Sequence, residues 1–448
     1  INPRLFEGQI DYIINHAEDK VMMLDPPFVP ILEALQDRFP TIEHYIILTD
    51  DDHMPETTLP NAVAYESLIA DESEEFDWPV FPESTPSSLC YTSGTTGDPK
   101  GVMYTHRSNL LHAYAGNGPT ANGPLLSESI LMIVPMCHAN SWGFAFACPM
   151  IGSKMVLPGA ALDGASIYEL LDSEKIAGSG AVPTVWTGLL AHLREHNLKL
   201  PYLKEVVVGG SAVPRSMIQT YGEDYDVTVI QAWGMTEMSP LGTVCRLRPE
   251  MKNLDYEQQL DIMQKQGQPV FGVEMKIVDD DNHTLPHDGK TFGRLLVRGP
   301  WIVQRYYRAD EDAVDADHWL DTGDIATIDE AGYMQITDRA KDLIKSGGEW
   351  ISSVDLENAA VGHPNVEIAA CIAVPHQKWE ERPMLVIKPL GNADLTADAV
   401  LEFLKDKVAK WWLPEEVVFV DDIPLTATGK ISKLQLREKL ADRIQPAS

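Results

Sequence analysis

Short apolar runs alternate with stretches of helical periodicity through the first half of the chain. Helical spacing covers Glu7–Ala17 and Val29–Arg38, and strand-like runs cover Lys20–Leu24 and Tyr45–Leu48. Alternation of this kind predicts a mostly parallel sheet with covering helices. Later strand-like runs lie at Ile130–Pro135, Lys154–Leu157, Glu205–Val208 and Thr228–Gln231. Because ligands in open α/β sheets bind beyond the carboxyl ends of strands, residues after these runs are site candidates.

The pattern changes after Gly267. Short β-like segments with turn signals follow at Val273–Val278, Gly293–Val297, Ile325–Ile328 and Tyr333–Ile336. Beyond Arg339 we expect helices at Ser353–Ala360 and Ala397–Lys410 and strands at Ile368–Val374 and Met384–Ile387. The predicted class is α/β: a large N-terminal domain (1–339) of mostly parallel sheets with covering helices plus a β-rich subdomain, and a small α+β C-terminal domain (340–448). The sequence opens in mid-pattern at Ile1, so we expect a missing N-terminal piece.

Composition excludes several classes of protein. The net charge of −32 argues against nucleic-acid binding, which needs clustered Lys and Arg. The five cysteines are scattered without a C-x-x-C pair, which predicts neither a disulfide framework nor a zinc site and favours a reducing cytoplasm. No apolar run reaches the length of a membrane span. We therefore expect a cytoplasmic protein, with a homodimer as the commonest default assembly.

The segment Tyr91–Val102 (YTSGTTGDPKGV) has the composition of a phosphate-binding loop. Its glycines let the backbone approach phosphate oxygens, and successive N–H groups form an anion-binding nest. Hydroxyl groups add donors and Lys100 adds positive charge. The segment is not a Walker A loop, because Pro99 follows Gly94 and four residues where that motif requires Gly-Lys.

This segment resembles the phosphate loop of the adenylate-forming superfamily, which comprises acyl-CoA synthetases, peptide-synthetase adenylation domains and luciferases. The resemblance runs from Ile1 to about Leu440, with the other motifs in the expected order. It implies a reaction in which ATP and a carboxylate form an acyl-adenylate and pyrophosphate, followed in many members by transfer to CoA. The implied phosphate-binding residues are Thr92, Ser93, Gly94, Thr95, Thr96 and Lys100.

Further motifs supply the remaining implied nucleotide contacts. In Gln231–Glu237 (QAWGMTE), the resemblance implies that Trp233 and Gly234 contact the adenine and that Thr236 contacts the α-phosphate. It also implies that Glu237 binds Mg²⁺, with Thr92 as a second metal ligand. The family often has Tyr where Trp233 stands. Other implied nucleotide-binding residues are Gly209, Gly210 and Ser211 of VVVGGSAV, and Asp324 and Arg339 as ligands of the ribose hydroxyls.

Two lysines, together with His138, carry the predicted catalysis. Lys430, in PLTATGKISK, resembles the lysine that neutralises charge while the carboxylate attacks the α-phosphate. Lys345 and Gly347 begin the segment that faces the thioester step, and Trp350 is placed along the passage of the pantetheine arm. A hinge at Lys341 between the two domains resolves the conflict between the two required geometries.

The acid is predicted to bind near Pro135–Gly143 (PMCHANSWG). The resemblance places His138 near the reacting carboxylate and Gly209 along the acyl pocket, and the large Trp142 side chain favours short or medium acids. The local sequences NSWG, QAWGMTEMSP and KSGGEWISS resemble medium-chain fatty acyl-CoA synthetases, and among them the ligases of 3-methylmercaptopropionate.

Three alternatives to an ATP-, Mg²⁺- and CoA-dependent ligase stay open at this point. In the first, the acyl group is loaded onto a separate carrier protein instead of CoA. In the second, the chain is a non-catalytic nucleotide-binding relative. In the third, the same fold carries out luciferase-like oxidation. The presence of Lys430, Glu237, Asp324 and Arg339 together disfavours the non-catalytic alternative.

Overall fold

The computed structural model describes residues 1–92, 98–339, 342–347, 349–391, 395–426 and 429–444. Its contacts divide the chain into two compact units. The first comprises residues 1–105 and 306–308, and the second comprises residues 106–305 and 309–448. Within the described ranges, no helix is both long and apolar enough to cross a membrane.

The first unit contains a small parallel sheet and a hairpin. Its elements are α1 (Glu7–Ala17), β1 (Val21–Leu24), α2 (Val29–Leu35), β2 (His44–Ile47), β3 (Ala62–Ala64), α3 (Tyr65–Ile69), β4 (Pro86–Tyr91) and β5 (Gly101–Thr105). Strands β1, β2 and β3 are parallel neighbours, and β4 pairs antiparallel with β5. Helix α1 buries Ile10, Ile13 and Ile14, the i, i+3, i+4 spacing of an amphipathic helix.

The second unit is built on a seven-stranded sheet of order β12-β11-β10-β9-β8-β6-β7. Its strands are β6 (Ser129–Leu131), β7 (Lys154–Val156), β8 (Gly178–Ala181), β9 (Glu205–Val208), β10 (Thr228–Gly234), β11 (Leu241–Val244) and β12 (Gln268–Pro269). Strands β6 to β10 pair in parallel, and β11 and β12 are antiparallel additions.

Helices cover this sheet and close its core. They are α4 (His106–Gly116), α5 (Gly123–Leu126), α6 (Ala139–Trp142), α7 (Phe144–Ile151), α8 (Gly164–Ser173), α9 (Pro183–His196), α10 (Arg215–Tyr225) and α11 (Tyr256–Met263). Trp186 is fully buried in this core, and its backbone oxygen accepts a hydrogen bond from the Tyr221 hydroxyl at 2.9 Å. The apolar faces of α8, α9 and α10 pack with strands β6, β8, β9 and β10 in this core.

The remaining elements form two smaller sheets. A four-stranded antiparallel sheet contains β13 (Glu274–Val278), β14 (Phe292–Arg298), β15 (Leu320–Ile328) and β16 (Met334–Arg339). The second sheet contains β17 (Ile344–Ser346), β18 (Glu349–Ile351), β19 (Val366–His376), β20 (Glu380–Pro389) and β21 (Glu416–Phe419). The accompanying helices are α12 (Ser353–Val361), α13 (Ala397–Leu404), α14 (Lys433–Lys439) and α15 (Ala441–Ile444).

The architecture confirms the predicted α/β class, with a mostly parallel sheet, a β-rich region and a small α+β region at the C-terminal end. Several predicted element boundaries were wrong: the strand predicted at Ile130–Pro135 ends at Leu131, and the strand predicted at Ile325–Ile328 begins at Leu320. The helix predicted at Ala397–Lys410 ends at Leu404, and the strand predicted at Thr228–Gln231 continues to Gly234 because its last residues pair with β11. The domain boundary after Arg339 and the hinge stay predictions.

Candidate active site

Several predicted site residues of the second unit gather at one edge of the parallel sheet. Gly209, Gly210 and Ser211 follow β9, while Trp233 and Gly234 end β10. The segment that contains His138 follows β6. Because these strands are parallel neighbours, their carboxyl ends meet at the same edge.

Asp324 is the most buried charged residue of this edge. It is 1% exposed, and its Oδ1 lies 2.7 Å from Nε of Arg339, its cross-strand partner. Its Oδ2 accepts a hydrogen bond of 3.0 Å from the indole Nε1 of Trp233. Burial raises the pKa of Asp324, while Arg339 and the Trp233 N–H favour the ionised form and oppose that rise. The carboxylate is therefore held in a fixed orientation from two sides.

Trp233 was predicted as an adenine-stacking residue, and its hydrogen bond to Asp324 was not foreseen. The ring is 8% exposed, and a Cβ on Gly242 would lie 2.7 Å from its Cζ3. Glycine at that position therefore allows the ring to lie close to the backbone. Tyrosine has no ring N–H, so a tyrosine in place of Trp233 would not offer Asp324 this N–H donor.

Lys430 reaches the same edge from the C-terminal segment. Its Cε and Nζ lie 3.1 and 3.9 Å from the position that a Cβ on Gly210 would occupy. Burial lowers the pKa of Lys430 and Arg339 lowers it further, whereas Asp324 and Glu237 raise it. Gly210 has φ +84°, so glycine here satisfies both the backbone conformation and the approach of the lysine.

His138 lies close enough to Lys430 for their charges to interact. Burial lowers the pKa of His138 to about 4, and Lys430 contributes to the lowering. The imidazole is therefore neutral at physiological pH, which avoids a second positive charge beside the lysine.

His138 is followed by a left-handed turn that presents Trp142. The φ angles are +43° at Ala139, +52° at Asn140, +56° at Ser141 and +55° at Trp142. Each such residue other than glycine costs about 1–2 kcal/mol. The Ser141 hydroxyl donates to the backbone oxygen of Val134 at 2.6 Å and holds the turn. Strain of this kind collects at binding and catalytic sites.

The Trp142 ring packs between two glycines of the sheet edge. Its Cη2 lies 3.2 Å from the position of a Cβ on Gly209, and its Cε3 lies 3.6 Å from that of a Cβ on Gly180. The indole therefore fills space that any larger residue at these two positions would occupy. The role of Trp142 in limiting the acyl pocket stays a prediction.

His112 lies beside Gly143, at the end of this turn, and the sequence did not predict it. It is 3% exposed, and its Nε2 accepts a hydrogen bond from the Leu241 N–H at 3.1 Å. A Cβ on Gly143 would lie 2.4 Å from its Cε1, so only glycine fits there. Burial lowers the pKa of His112 to about 4, consistent with a neutral acceptor ring. A lone histidine in a helix carries no sequence signal for this contact.

Thr236 and Glu237 lie in a short 3₁₀ turn after β10. Glu237 is 7% exposed, its backbone oxygen accepts from the Val303 N–H at 2.7 Å, and its carboxylate acts electrostatically on Lys430. Among the described residues, no group of three or more His, Cys, Asp or Glu side chains is arranged to hold a metal ion.

Lys345, Gly347 and Trp350 form another group, on the β17–β18 hairpin. The Lys345 ammonium lies 5.1 Å from the centre of the Trp350 ring. Gly347 has φ +62°, and its N–H donates to the Trp379 backbone oxygen at 2.8 Å. Lys345 and Lys430 lie on different elements, β17 and the segment before α14.

The predicted phosphate loop belongs to the first unit, where it connects β4 to β5. At its described ends, the Thr92 N–H donates to the Lys100 backbone oxygen at 2.9 Å, and the Lys100 N–H donates to the Thr92 hydroxyl at 3.0 Å. Among the residues that lie outside the described ranges are Ser93, Gly94, Thr95, Thr96 and Gly97 of the loop, together with Lys341, Gly348 and Thr428. Their predicted roles, and that of Thr92 at a metal ion, stay predictions.

The chain belongs to the AMP-binding enzyme family. The model of that family matches residues 1–307, and the model of the AMP-binding enzyme C-terminal domain matches residues 355–430. A 3-methylmercaptopropionyl-CoA ligase from Ruegeria lacuscaerulensis is 47% identical over 444 residues, which are 99% of this chain and 82% of the relative. A medium-chain-fatty-acid–CoA ligase from Ectopseudomonas oleovorans is 46% identical over 442 residues, 99% of this chain and 81% of the relative.

Solved structures agree on the fold. An anthranilate CoA ligase in complex with anthranoyl-AMP has a TM-score of 0.86 at 24% sequence identity, covering 99% of this chain and 83% of that chain. ATP-bound MatB from Rhodopseudomonas palustris has a TM-score of 0.81 at 24% identity, covering 99% of this chain and 84% of that chain. The prediction of an adenylate-forming enzyme of the acyl-CoA synthetase type is confirmed by the family and the relatives.

Proposed function

We propose that this acyl-CoA synthetase activates a short or medium carboxylic acid, and that 3-methylmercaptopropionate is the first acid to test. The observation that carries the proposal is the convergence of Lys430, His138 and the Asp324–Arg339 pair with Trp142 at one sheet edge. The names of the relatives support the acid: two 3-methylmercaptopropionyl-CoA ligases and a medium-chain-fatty-acid–CoA ligase are 46–47% identical to this chain.

In the first half-reaction, a carboxylate oxygen of the acid attacks the α-phosphorus of ATP and pyrophosphate leaves. We assign to Lys430 the stabilisation of the negative charge that gathers on the reacting oxygens. Its lowered pKa reflects burial, and Asp324 and Glu237 help to keep the ammonium charged. Asp324, fixed by Arg339 and Trp233, accepts hydrogen bonds from the ribose hydroxyls and thereby places the α-phosphate.

We assign His138 to the orientation of the acid. A neutral imidazole offers one N–H donor and one acceptor nitrogen. The donor holds a carboxylate oxygen in line with the phosphorus without adding a charge that would pull the carboxylate away from Lys430. Trp142 closes the pocket behind the acyl chain.

The residues present fit an Mg²⁺ ion that arrives with ATP. Mg²⁺ keeps several waters and binds through one or two carboxylates together with substrate phosphates, so a dedicated protein cage is not required. Glu237 supplies such a carboxylate beside Lys430. The ion would neutralise phosphate charge, and we assign Glu237 as its ligand.

In the second half-reaction, the CoA thiol attacks the acyl carbonyl and AMP leaves. We assign Lys345, Gly347 and Trp350 to the side from which CoA approaches, because on the β17–β18 hairpin Lys345 offers a positive charge and Trp350 an aromatic face. CoA is favoured over a carrier protein because the relatives named here are CoA ligases. A cytoplasmic location and a homodimer complete the proposal; light scattering on the purified protein tests the assembly.

The test is a panel of carboxylic acids incubated with ATP, Mg²⁺ and CoA, with products identified by mass spectrometry. We expect an acyl-CoA and AMP, with the highest kcat/KM for a short or medium acid. A pantetheine-bearing carrier protein serves as the competing acceptor. Preference for long-chain acids would overturn the assignment of the acid, and acyl transfer to the carrier alone would overturn the assignment of CoA.

A further inference from the structure

A buried ionic network adjoins Arg339 through the neighbouring Asp338. We call Asp338, Ser353, Glu357 and Lys433 the Lys433 network. Asp338 is 1% exposed and Ser353 is fully buried. The side chains of Lys433 and Glu357 are 13% and 15% exposed. Charged residues are almost never buried unless they are paired, so a set of three charges at this depth needs an explanation.

The network is connected by direct contacts. Nζ of Lys433 lies 2.9 Å from Oε1 of Glu357 and also donates to the Ser353 hydroxyl. The Ser353 N–H donates to Oδ2 of Asp338 at 2.8 Å. Oε1 of Glu357 also accepts from the Cys371 N–H at 2.7 Å. One lysine thus serves two buried carboxylates, one directly and one through a serine.

The charges of the network depend on one another. Burial raises the pKa of Asp338 and of Glu357, and Lys433 opposes both rises. Burial alone lowers the pKa of Lys433, but Glu357 and Asp338 outweigh it and raise that pKa above its ordinary value. Removal of the ammonium would therefore leave two buried carboxylates without their cation.

Both ends of the network adjoin residues of the proposed site. Asp338 directly precedes Arg339 on β16, and its Oδ1 accepts from the Arg339 N–H at 2.8 Å. Lys433 is the first residue of α14 and follows Lys430 by three positions. The network therefore joins the strand that carries Arg339 to the segment that carries Lys430.

We propose that Lys433 is a positioning residue that holds Lys430 at the α-phosphate of ATP. It fixes the start of α14 against β16, so that the ammonium of Lys430 stays beside Asp324 and Gly210. Arg437, one turn later on α14, pairs with Asp342 at 2.7 Å and secures the same helix. This inference rests on the proposed role of Lys430 in adenylate formation.

The experiment separates the two half-reactions. Lys433→Met is compared with Lys433→Met/Glu357→Gln, in which Glu357 no longer needs a cation, and with Lys439→Met, an exposed lysine on the same helix. Acid-dependent exchange of labelled pyrophosphate into ATP measures adenylate formation. Acyl-CoA produced from supplied acyl-adenylate and CoA measures the second step. Thermal unfolding reports the stability of each variant.

We expect both Lys433 variants to lose about 100-fold in adenylate formation, the effect of misplacing a catalytic group by about 1 Å. Transfer from supplied acyl-adenylate should stay within about threefold of the wild-type rate, and Lys439→Met should match the wild type in both assays. If Lys433→Met does not fold, the double variant carries the comparison.

Two results would overturn the proposal. One is equal loss of both half-reactions. The other is wild-type adenylate formation in either Lys433 variant; in the double variant, that result would attribute the loss in Lys433→Met to an unpaired Glu357. The proposed function fails separately, if the wild-type enzyme itself forms no acyl-adenylate.

Discussion

Trp142→Ala is expected to lengthen the acids that the enzyme accepts. The indole occupies the space between Gly209 and Gly180, with ring atoms 3.2 and 3.6 Å from the positions of their absent Cβ atoms. Truncation to a methyl group opens that space toward the sheet edge. Each acyl methylene that the space admits adds about 0.8 kcal/mol of burial, which is about fourfold in kcat/KM. An acid three carbons beyond the wild-type limit should gain about 60-fold.

The assay measures pyrophosphate release for straight-chain acids from propionate to dodecanoate. The wild-type profile should fall beyond a limiting length, and Trp142→Ala should move that limit to longer acids while activity on the shortest acid decreases. Trp142→Phe is the matched control, because it keeps an aromatic ring and should move the limit by a smaller amount. An unchanged limit in Trp142→Ala, with a folded enzyme, would refute the placement of Trp142 at the end of the acyl pocket.

Four further results are expected. Lys430→Ala should reduce adenylate formation by about 100- to 1000-fold, while acyl transfer from supplied acyl-adenylate survives; equal loss in both steps would contradict its role. Trp233→Phe keeps the ring but removes the N–H donor to Asp324, so the KM for ATP should rise by about 10- to 150-fold with little change in the KM for the acid. The pH profile of adenylate formation should show no inflection near 6.5, because the pKa of His138 is lowered to about 4; an inflection that disappears in His138→Gln would contradict the neutral ring. Burial raises the pKa of Asp355 from 3.8 to about 6, so the wild-type fold loses stability as the pH rises through that window. Urea unfolding at pH 8 should therefore show Asp355→Asn to be about 1–3 kcal/mol more stable than the wild type. The difference should vanish near pH 4.

Much of the fold follows from local pattern. The predicted helix Glu7–Ala17 and strand Glu205–Val208 have the observed bounds, because the apolar residues that set each pattern are the ones that the structure buries. The end of β10 was missed because its last residues are held by antiparallel pairing with β11, a long-range contact. Helix α13 ends at Leu404, six residues before the predicted end, where the N–H groups of Lys407 and Val408 both donate to the Leu404 backbone oxygen and form a turn.

The site was predicted unevenly for a similar reason. Asp324, Arg339 and Lys430 stand in motifs, so they were found in sequence, and the structure brings them together. His112 and Lys433 act through neighbours that are distant along the chain, at Leu241 and Glu357, and no local signal marks such contacts. The residues that hold a site in place are therefore harder to predict than those that face its ligand.

The most direct test of an acyl-adenylate intermediate follows one oxygen atom of the acid. The acid is labelled with ¹⁸O in both carboxylate positions and converted with unlabelled ATP and CoA, and the phosphorus products are examined by mass spectrometry. If the carboxylate attacks the α-phosphorus and AMP leaves when the thiol attacks, AMP carries one ¹⁸O atom and pyrophosphate carries none. Label in inorganic phosphate, with ADP as the nucleotide product, would contradict the acyl-adenylate and the roles assigned to Lys430 and Asp324.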